Sequence, residues 1–183
     1  MRKIVVSLAL IFAFLATVMP GGELAKMKVL SDVKRAVSDI SVDNSGEIVR
    51  VKDGDTYVIL ISGKEETVRL IGVDTPESVH SDANRNTDWG KKVSKWVKKT
   101  LKAGQRVYLE YDEDRVDPYG RTLAYMYVDG KMFNKTLVKK GFARAVYYKP
   151  NGRYKKDFER LQKWAKAHKK GFWKDGYDIA FPN

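Results

Sequence analysis

The stretch "TYVILISGKEETVRLIGVDTPES", residues 56–78, decides the fold that the rest of the sequence must fit. It begins with a β-branched and aromatic run, turns at "SGKEE", and continues into a second apolar run, "TVRLIGV", at residues 67–73. Apolar runs bounded by turn residues predict two paired β-strands. The second strand ends in a group of residues that carry oxygen ligands and charge: Asp74, Thr75, Pro76 and Glu77.

Upstream, "EIVRV" alternates apolar and polar residues and predicts the first strand of a meander from about Glu47 to Val73. Downstream, apolar residues at helical spacing predict a helix over about 88–101, with lysines on its other face. "QRVYLEYD" and "LAYMYVDGKMF" predict the fourth and fifth strands.

Two further helices follow in the prediction. Asn134 is expected to cap a short helix that ends at Gly141. The last helix, about 154–170, is expected to turn four residues inward, namely Phe158, Leu161, Trp164 and Ala165. Five short strands with one helix between the third and fourth have the order of an OB-fold, a barrel that binds oligonucleotides. The prediction is an α+β, mainly β domain: a five-stranded OB-fold barrel with about three helices.

Composition narrows the class of partner. The 183 residues carry a formal net charge of +12, which favours an acidic polymer such as nucleic acid. The excess lies in residues 91–106, with seven bases and no acid, and residues 149–178, with ten bases and four acids. Either cluster alone is equally typical of a solvated helix face. The absence of cysteine excludes disulfides and thiolate metal sites.

The chain divides into four predicted segments. Two bases precede the apolar run at residues 4–19, so residues 1–26 are predicted to be a signal peptide or an N-terminal anchor, and the protein is predicted to be exported. Residues 27–45 are predicted to be a linker or a short amphipathic segment. The barrel domain is predicted at 46–174 and a C-terminal tail at 175–183.

Two aspartates are candidates for one metal site. "VKDGDTY" places Asp55 after Asp53 and Gly54, and taken alone this pattern is more typical of a turn. If the first and third strands are neighbours in a barrel, Asp55 faces Asp74. Two aspartates and a carbonyl suit Ca²⁺ or Mg²⁺ rather than Zn²⁺, and the two histidines of the chain form no zinc-type pair.

The residues after Asp74 are candidates for the rest of the site. Pro76 keeps Thr75 extended, which can direct the Thr75 carbonyl toward a cation and hold Glu77 clear of it. A carboxylate one water away from a metal can act as a general base. The alternative is that Thr-Pro-Glu only begins a loop, with Glu77 in solvent.

Two arginines are candidates for binding phosphate. Arg69 lies in an apolar strand, so either it points out of the core or it meets an anion. Arg121 stands at the start of the fifth strand, after a glycine turn. Two guanidinium groups that converge on a metal would form a phosphate site.

The motifs "DGDT", "VRLIGVDTPE", "DPYGRTLAYMYVDGKMFN" and "LVKKGFARAVYYKPN" resemble the thermonuclease (staphylococcal nuclease) family, from about Glu47 to Trp173. The resemblance implies a Ca²⁺-dependent enzyme that hydrolyses single-stranded DNA and RNA at the 5′ P–O bond and leaves 3′-phosphates. It also implies that the enzyme is a monomer with no obligate protein partner.

The resemblance assigns roles by motif. It implies that Asp55, Asp74 and the Thr75 carbonyl bind Ca²⁺. Glu77 would position or deprotonate the attacking water, and Arg69 and Arg121 would hold the phosphate.

The sequence departs from the family pattern at two places. Pro118 stands before Tyr119 where the family often has a lysine, so Tyr119 would contact the terminal phosphate without that cation. "ARAVYYKPN" is one residue short, which leaves Tyr147 or Tyr148 to stack on a base.

Two other classes of protein fit part of the sequence. A non-catalytic OB-fold module that binds nucleic acid would explain the barrel and the charge, although such relatives typically lack several catalytic residues. A basic domain held to an anionic membrane by an uncleaved N-terminal segment would explain the charge and the apolar run. The second alternative does not explain why Arg69, Asp74 and Glu77 lie together.

Overall fold

The structure, a computed structural model, describes residues 44–78 and 86–182. The predicted signal peptide or anchor, almost all of the predicted linker and residues 79–85 of the loop after Glu77 lie outside this part. No helix in the described part is both long and apolar enough to cross a membrane.

Within residues 44–78 and 86–182, eight strands, four helices and a 3₁₀ turn follow one another. The strands are β1 (Ser45–Val51), β2 (Thr56–Ile61), β3 (Lys64–Leu70), β4 (Val73–Asp74), β5 (Arg106–Glu110), β6 (Thr122–Val128), β7 (Lys131–Met132) and β8 (Arg144–Ala145). The helices are α1 (Asp88–Thr100), α2 (Phe133–Lys140), α3 (Lys155–Ala167) and α4 (Tyr177–Ala180), with one 3₁₀ turn at Gly171–Trp173.

Five strands close into a barrel. The order is β3-β2-β1-β5-β6, and β6 returns to pair parallel with β3, where Val68 lies opposite Thr122. The other barrel pairs are antiparallel. Closure leaves no free sheet edge among these strands. The predicted five-stranded OB-fold of the α+β class is therefore confirmed, with α1 between the third and fourth barrel strands as expected.

The barrel interior and the helices share one apolar core. In β3 the side chains of Val68 and Leu70 are buried, while Arg69 between them is only partly buried. This alternation sends Arg69 out of the core and towards the site described below. Helix α1 buries Val93 and Val97 against the barrel. It begins at Thr87, whose hydroxyl accepts a hydrogen bond of 3.0 Å from Gly90 N.

Two helix details differ from the prediction. Asn134 does not cap α2, because Met132 holds the cap position and Asn134 is fully buried inside the helix. Its amide is needed elsewhere: it donates to Ile71 O at 2.9 Å and accepts from Met126 N at 2.9 Å. In α3, Trp164 does not turn inward and is 37% exposed.

Residues 175–182, predicted to be a tail, contain the short helix α4. Ala180 is buried and the ring of Phe181 meets that of Phe172 edge-on, with centroids 5.3 Å apart. The chain therefore stays packed on the domain after Trp173.

Replacing Asn134 with alanine should lower the free energy of unfolding by about 2–4 kcal/mol, because a buried carbonyl and a buried amide lose their partners. Guanidinium denaturation measures the change. Gln105→Ala, which removes an exposed hydrogen bond to Lys102 N, is the matched control and should cost less than about 1 kcal/mol. Equal losses in the two variants would show that Asn134 does not join α2 to the barrel.

Candidate active site

The bend between β1 and β2 carries the first acidic residues of the site. Asp53 and Asp55 are both buried, and Gly54 lies between them. A Cβ added to Gly54 would lie 2.7 Å from Thr75 Oγ1 and 2.8 Å from Val93 Cγ1. The motif is therefore a turn, as its pattern suggested, but one pressed so closely against Thr75 and α1 that only glycine fits.

Asp55 holds the residue that directly follows β4 in place. Its Oδ2 accepts hydrogen bonds from Thr75 N at 2.8 Å and from Thr75 Oγ1 at 2.9 Å. Thr75 is 2% exposed. Two residues twenty positions apart in sequence are thus fixed against each other in the interior. The first and third strands are not neighbours, because β2 lies between them, so Asp55 reaches this point from the bend that follows β1.

Arg69 is the cation between the two aspartates. Its Nη2 lies 3.3 Å from Asp55 Oδ2 and 3.1 Å from Asp74 Oδ1. Its Nη1 donates to the backbone carbonyls of Val73 at 2.7 Å and Leu70 at 3.0 Å. The two carboxylates therefore converge on one point, and both alternatives expected for Arg69 hold, since it leaves the core and meets anions.

Arg144 binds Asp74 from the other side, and it was not among the site residues predicted from the sequence. The two residues pair across β4 and β8, and Arg144 Nε and Nη2 each lie 2.8 Å from Asp74 Oδ2. Arg144 also donates to the Tyr177 hydroxyl and lies 4.3 Å from the ring centre of Phe181. Strands of two residues carry no sequence pattern, so the pairing could not be found from periodicity.

Two arginines contact Asp74, but they do not bring its pKa down to the ordinary value. Burial raises its pKa above the ordinary value and the Asp55 carboxylate raises it further, while Arg69 and Arg144 act in the opposite direction. A further cation at this point would favour the ionised form of Asp74.

Glu77 is half-buried beside the same acidic group. Loss of hydration raises its pKa to about 7, and the charges of Asp53 and Asp55, a hydrogen bond with Asp53 and the charge of Asp74 contribute. A carboxylate with a pKa near neutrality can both accept and release a proton at physiological pH.

The backbone of Glu77 is fixed by the start of α1. Thr87 N donates to Glu77 O at 3.0 Å, and a Cβ added to Gly90 would lie only 1.9 Å from that oxygen. Next to it, Ser78 Oγ donates to Asp53 Oδ1 at 2.7 Å. The first turn of α1 therefore lies directly on the Glu77 carbonyl and holds its backbone in place.

Glu77→Gln should stabilise the metal-free protein at pH 8 by on the order of 1 kcal/mol, after allowance for its partial exposure. The folded pKa of about 7 exceeds the unfolded value of about 4.3. The ionised form therefore weakens the fold, fully above pH 7 and not at all below about pH 4. Denaturation in EGTA across this range measures the gain, and exposed Glu113→Gln is the control. A gain that is the same at pH 4 and pH 8 would contradict this explanation.

A cleft of about 530 Å³ opens beside the acidic residues. Arg69 and Arg121 both line it, together with Tyr119 and Tyr148. Arg121 is held there by Asp117, whose Oδ2 lies 2.6 Å from Arg121 Nε. Because Arg69 also bridges the aspartates, it joins the acidic group to the cleft.

Two of the three candidate tyrosines, Tyr119 and Tyr148, line the cleft, and Tyr147 does not. Tyr119 is 84% exposed and its ring lies 5.3 Å from the Arg121 guanidinium. Tyr148 lines the cleft and is 70% exposed. Tyr147 is not among the residues that line the cleft, and it lies against Gly152 and beneath Lys155, with the lysine nitrogen 4.8 Å from its ring centre. Tyr148 is thus placed for contact with a ligand.

The residues present fit a hard divalent cation. Within residues 44–78 and 86–182, no three Asp, Glu or His side chains form a metal-ligand cluster. A site made of two carboxylates, a backbone carbonyl and water does not need a third acid. Asp55 and Asp74 already converge on one cation, the Arg69 guanidinium, and a bound metal ion would favour the ionised form of Asp74.

Asp55, Asp74, Thr75 and Glu77 do not line the cleft, and Arg69 connects them to it. A closed OB-fold barrel with converging aspartates, a glutamate whose pKa is near 7 and a cleft lined by two arginines has the chemical make-up of an enzyme that acts on phosphate esters. Comparisons with known proteins agree. A family model described as "Staphylococcal nuclease homologue" matches residues 67–175.

Curated relatives support the same family. The chain is 44% identical over 127 residues to a thermonuclease of Staphylococcus hyicus, covering 69% of this chain and 74% of the relative. It is 46% identical over 136 residues to a thermonuclease of Staphylococcus intermedius, covering 73% and 80%. It is 43% identical over 131 residues to endonuclease YncB of Bacillus subtilis, covering 70% and 61%. The chain belongs to the staphylococcal nuclease family, and its class is that of a nuclease.

Proposed function

We propose that this protein is an exported, Ca²⁺-dependent phosphodiesterase that cuts single-stranded DNA and RNA at the 5′ P–O bond and leaves 3′-phosphate ends. One observation carries the proposal: Arg69 bridges Asp55 and Asp74 and also lines the cleft. A cation site and a phosphate site therefore share one side chain. The relatives named above are a thermonuclease pair and an endonuclease, which fits this activity.

The metal would be held by Asp55, Asp74 and the carbonyl of Thr75. When bound, Ca²⁺ supplies a Lewis acid beside the phosphoryl group. Asp55 is kept in place by its two hydrogen bonds from Thr75. Asp74 is kept in place by Arg144, which we propose as a positioning residue because it holds Oδ2 from outside the cleft.

The two arginines bind the scissile phosphate. Guanidinium groups are planar donors with a permanent charge. Arg121 would use its terminal nitrogens, because its Nε is paired with Asp117, and Arg69 would exchange an aspartate contact for a phosphate oxygen. Negative charge grows on those oxygens as the phosphorus becomes five-coordinate, so donors placed in advance lower the barrier. Asp117 keeps the Arg121 fork directed along the cleft.

Glu77 takes the proton of the attacking water. Its carboxylate oxygen accepts that proton as the water oxygen bonds to phosphorus. The bond to the 5′ oxygen breaks, and that oxygen leaves as a hydroxyl after it takes a proton from solvent. A base with a pKa of about 7 is strong enough to accept the proton and is still ionised in a large share of molecules at neutral pH.

Exposed tyrosines would hold the rest of the substrate. We propose that Tyr119 contacts a terminal phosphate and that Tyr148, rather than Tyr147, stacks on a base, since Tyr148 lines the cleft. We further propose that residues 1–26 direct export or act as an anchor, that the catalytic domain lies within 46–174, and that it acts as a monomer without an obligate partner.

Cleavage of heat-denatured DNA and of RNA by the full chain, in Ca²⁺ and in excess EGTA, tests the proposal. We expect cutting only with Ca²⁺, and 3′ ends that a polymerase extends only after phosphatase treatment. Binding without cutting in Ca²⁺ would favour the non-catalytic module. Cutting that persists in EGTA would show that the metal assignment is wrong.

A further inference from the structure

A second concentration of positive charge lies where the C-terminal ends of α2 and α3 meet. Gly141 and Lys170 touch there: a Cβ on Gly141 would lie 2.1 Å from Lys170 O, and Phe172 N donates to Gly141 O at 3.1 Å. Five exposed lysines and one exposed tryptophan crowd this junction. We call this set the helix-junction surface: Lys139, Lys140, Lys166, Lys169, Lys170 and Trp164.

The lysines of the helix-junction surface have no acidic partners in the described part of the chain, and no acid occurs in residues 133–141 or 160–174. The first half of α3 is different. There Lys155 pairs with Glu159 at 3.7 Å, and Asp157 pairs with Lys135 at 2.6 Å and with Arg160 at 2.9 Å. Ion pairs therefore form in the first half of α3, and its second half carries bases without acids.

Trp164 stands at the centre of this charge. Its ring is 37% exposed, and the nitrogens of Lys139 and Lys170 lie 5.5 and 5.9 Å from its ring centre. His168 stacks on it with centroids 4.2 Å apart. A single lysine at each helix end would satisfy the helix dipole, so five lysines at this junction, two of them beside the exposed ring, exceed that need.

The charge continues onto α1. Lys140 Nζ lies 5.1 Å from the ring centre of Trp96. On a helix, Lys92 and Lys99 stand one turn before and one turn after Trp96, on the same face, and both are exposed. The positive surface therefore extends from the helix junction along α1, and the cleft residues Arg69 and Arg121 are not part of it.

We propose that the helix-junction surface binds single-stranded nucleic acid outside the catalytic cleft. This rests on the proposed function, because a strand longer than the cleft can hold needs a cationic track for the remainder. Lysines without acidic partners can bind its phosphates, and an exposed aromatic ring can stack on any base without sequence preference. The surface then raises affinity for long strands and leaves chemistry in the cleft unchanged.

The test compares two triple variants of the full chain with equal charge change. Lys139→Gln/Lys140→Gln/Lys170→Gln alters the surface, and Lys64→Gln/Lys102→Gln/Lys131→Gln alters three exposed lysines elsewhere. Affinity for fluorescein-labelled (dT)30 is measured by anisotropy in EGTA, where no cutting is expected, over a range of NaCl concentrations. Hydrolysis of a dinucleotide in Ca²⁺ reports on the cleft alone.

We expect the surface variant to bind (dT)30 about tenfold more weakly at 50 mM salt. The slope of the logarithm of the binding constant against the logarithm of the NaCl concentration should be shallower by about 2. The control variant should change less than about threefold, and both should hydrolyse the dinucleotide normally. Trp164→Ala should weaken (dT)30 binding about fivefold or more, and Trp164→Phe should restore most of it.

Three outcomes would overturn the proposal. Equal losses in both triple variants would show that net charge alone matters, and no loss in either would show that the surface does not touch the strand. Loss of binding to vesicles with 30% anionic phospholipid, with (dT)30 binding unchanged, would assign the surface to membranes. If the wild type cuts nothing in Ca²⁺, the proposed function fails, but the binding comparison still decides this inference.

Discussion

Replacing Arg121 with lysine should lower kcat for DNA cleavage about 100- to 1000-fold. Lysine keeps the charge but offers one donor point instead of a planar fork, so it cannot bind two oxygens of the phosphate at once. The loss should fall mainly on kcat, because the contact is strongest when negative charge is greatest on those oxygens. Steady-state kinetics on denatured DNA in Ca²⁺ measures it.

Arg115→Lys is the matched control for Arg121→Lys. Arg115 is exposed in the same loop and lies 4.7 Å from the ring centre of Tyr111, so it tests the effect of an arginine change nearby. It should keep kcat within about threefold. A loss in Arg121→Lys that falls only on KM would show that Arg121 binds the substrate without stabilising the transition state.

Glu77→Gln should lower kcat about 100- to 10,000-fold, because the amide cannot accept the proton of the attacking water. The same variant is expected to be more stable than the wild type in EGTA at pH 8, for the electrostatic reason given above. Loss of activity together with gain of stability cannot come from misfolding. Kinetics and denaturation on one preparation therefore test the role of Glu77 directly.

The outcome for Glu77 that would contradict the mechanism is equally definite. If Glu77→Gln keeps a tenth or more of the wild-type kcat, another group or bulk solvent accepts the proton. Glu113→Gln, at an exposed position, should retain full activity and unchanged stability. A loss in this control would indicate that the total negative charge, rather than the one carboxylate, governs the rate.

Local patterns were sufficient for most of the fold. The apolar runs of β2 and β3 and the apolar stripe of α1 are properties of neighbouring residues, so they appear directly in the sequence. Asn134 was misjudged for the opposite reason. Asparagine is typical of a helix cap. Only the closed barrel shows that the buried side-chain amide of Asn134 bonds the backbones of Ile71 and Met126.

The sequence by itself determined the barrel class, the basic character and the candidates Asp55, Arg69, Asp74, Thr75, Glu77 and Arg121, because each lies in a local pattern or family motif. The tertiary structure alone decided how they meet. Arg69 lies between Asp55 and Asp74, Arg144 reaches Asp74 across 70 residues, and Trp164 is exposed beside one lysine of α2 and one from the segment after α3. Contacts between distant segments depend on how the barrel closes and how the helices pack. No short stretch of sequence therefore shows which distant residues come into contact.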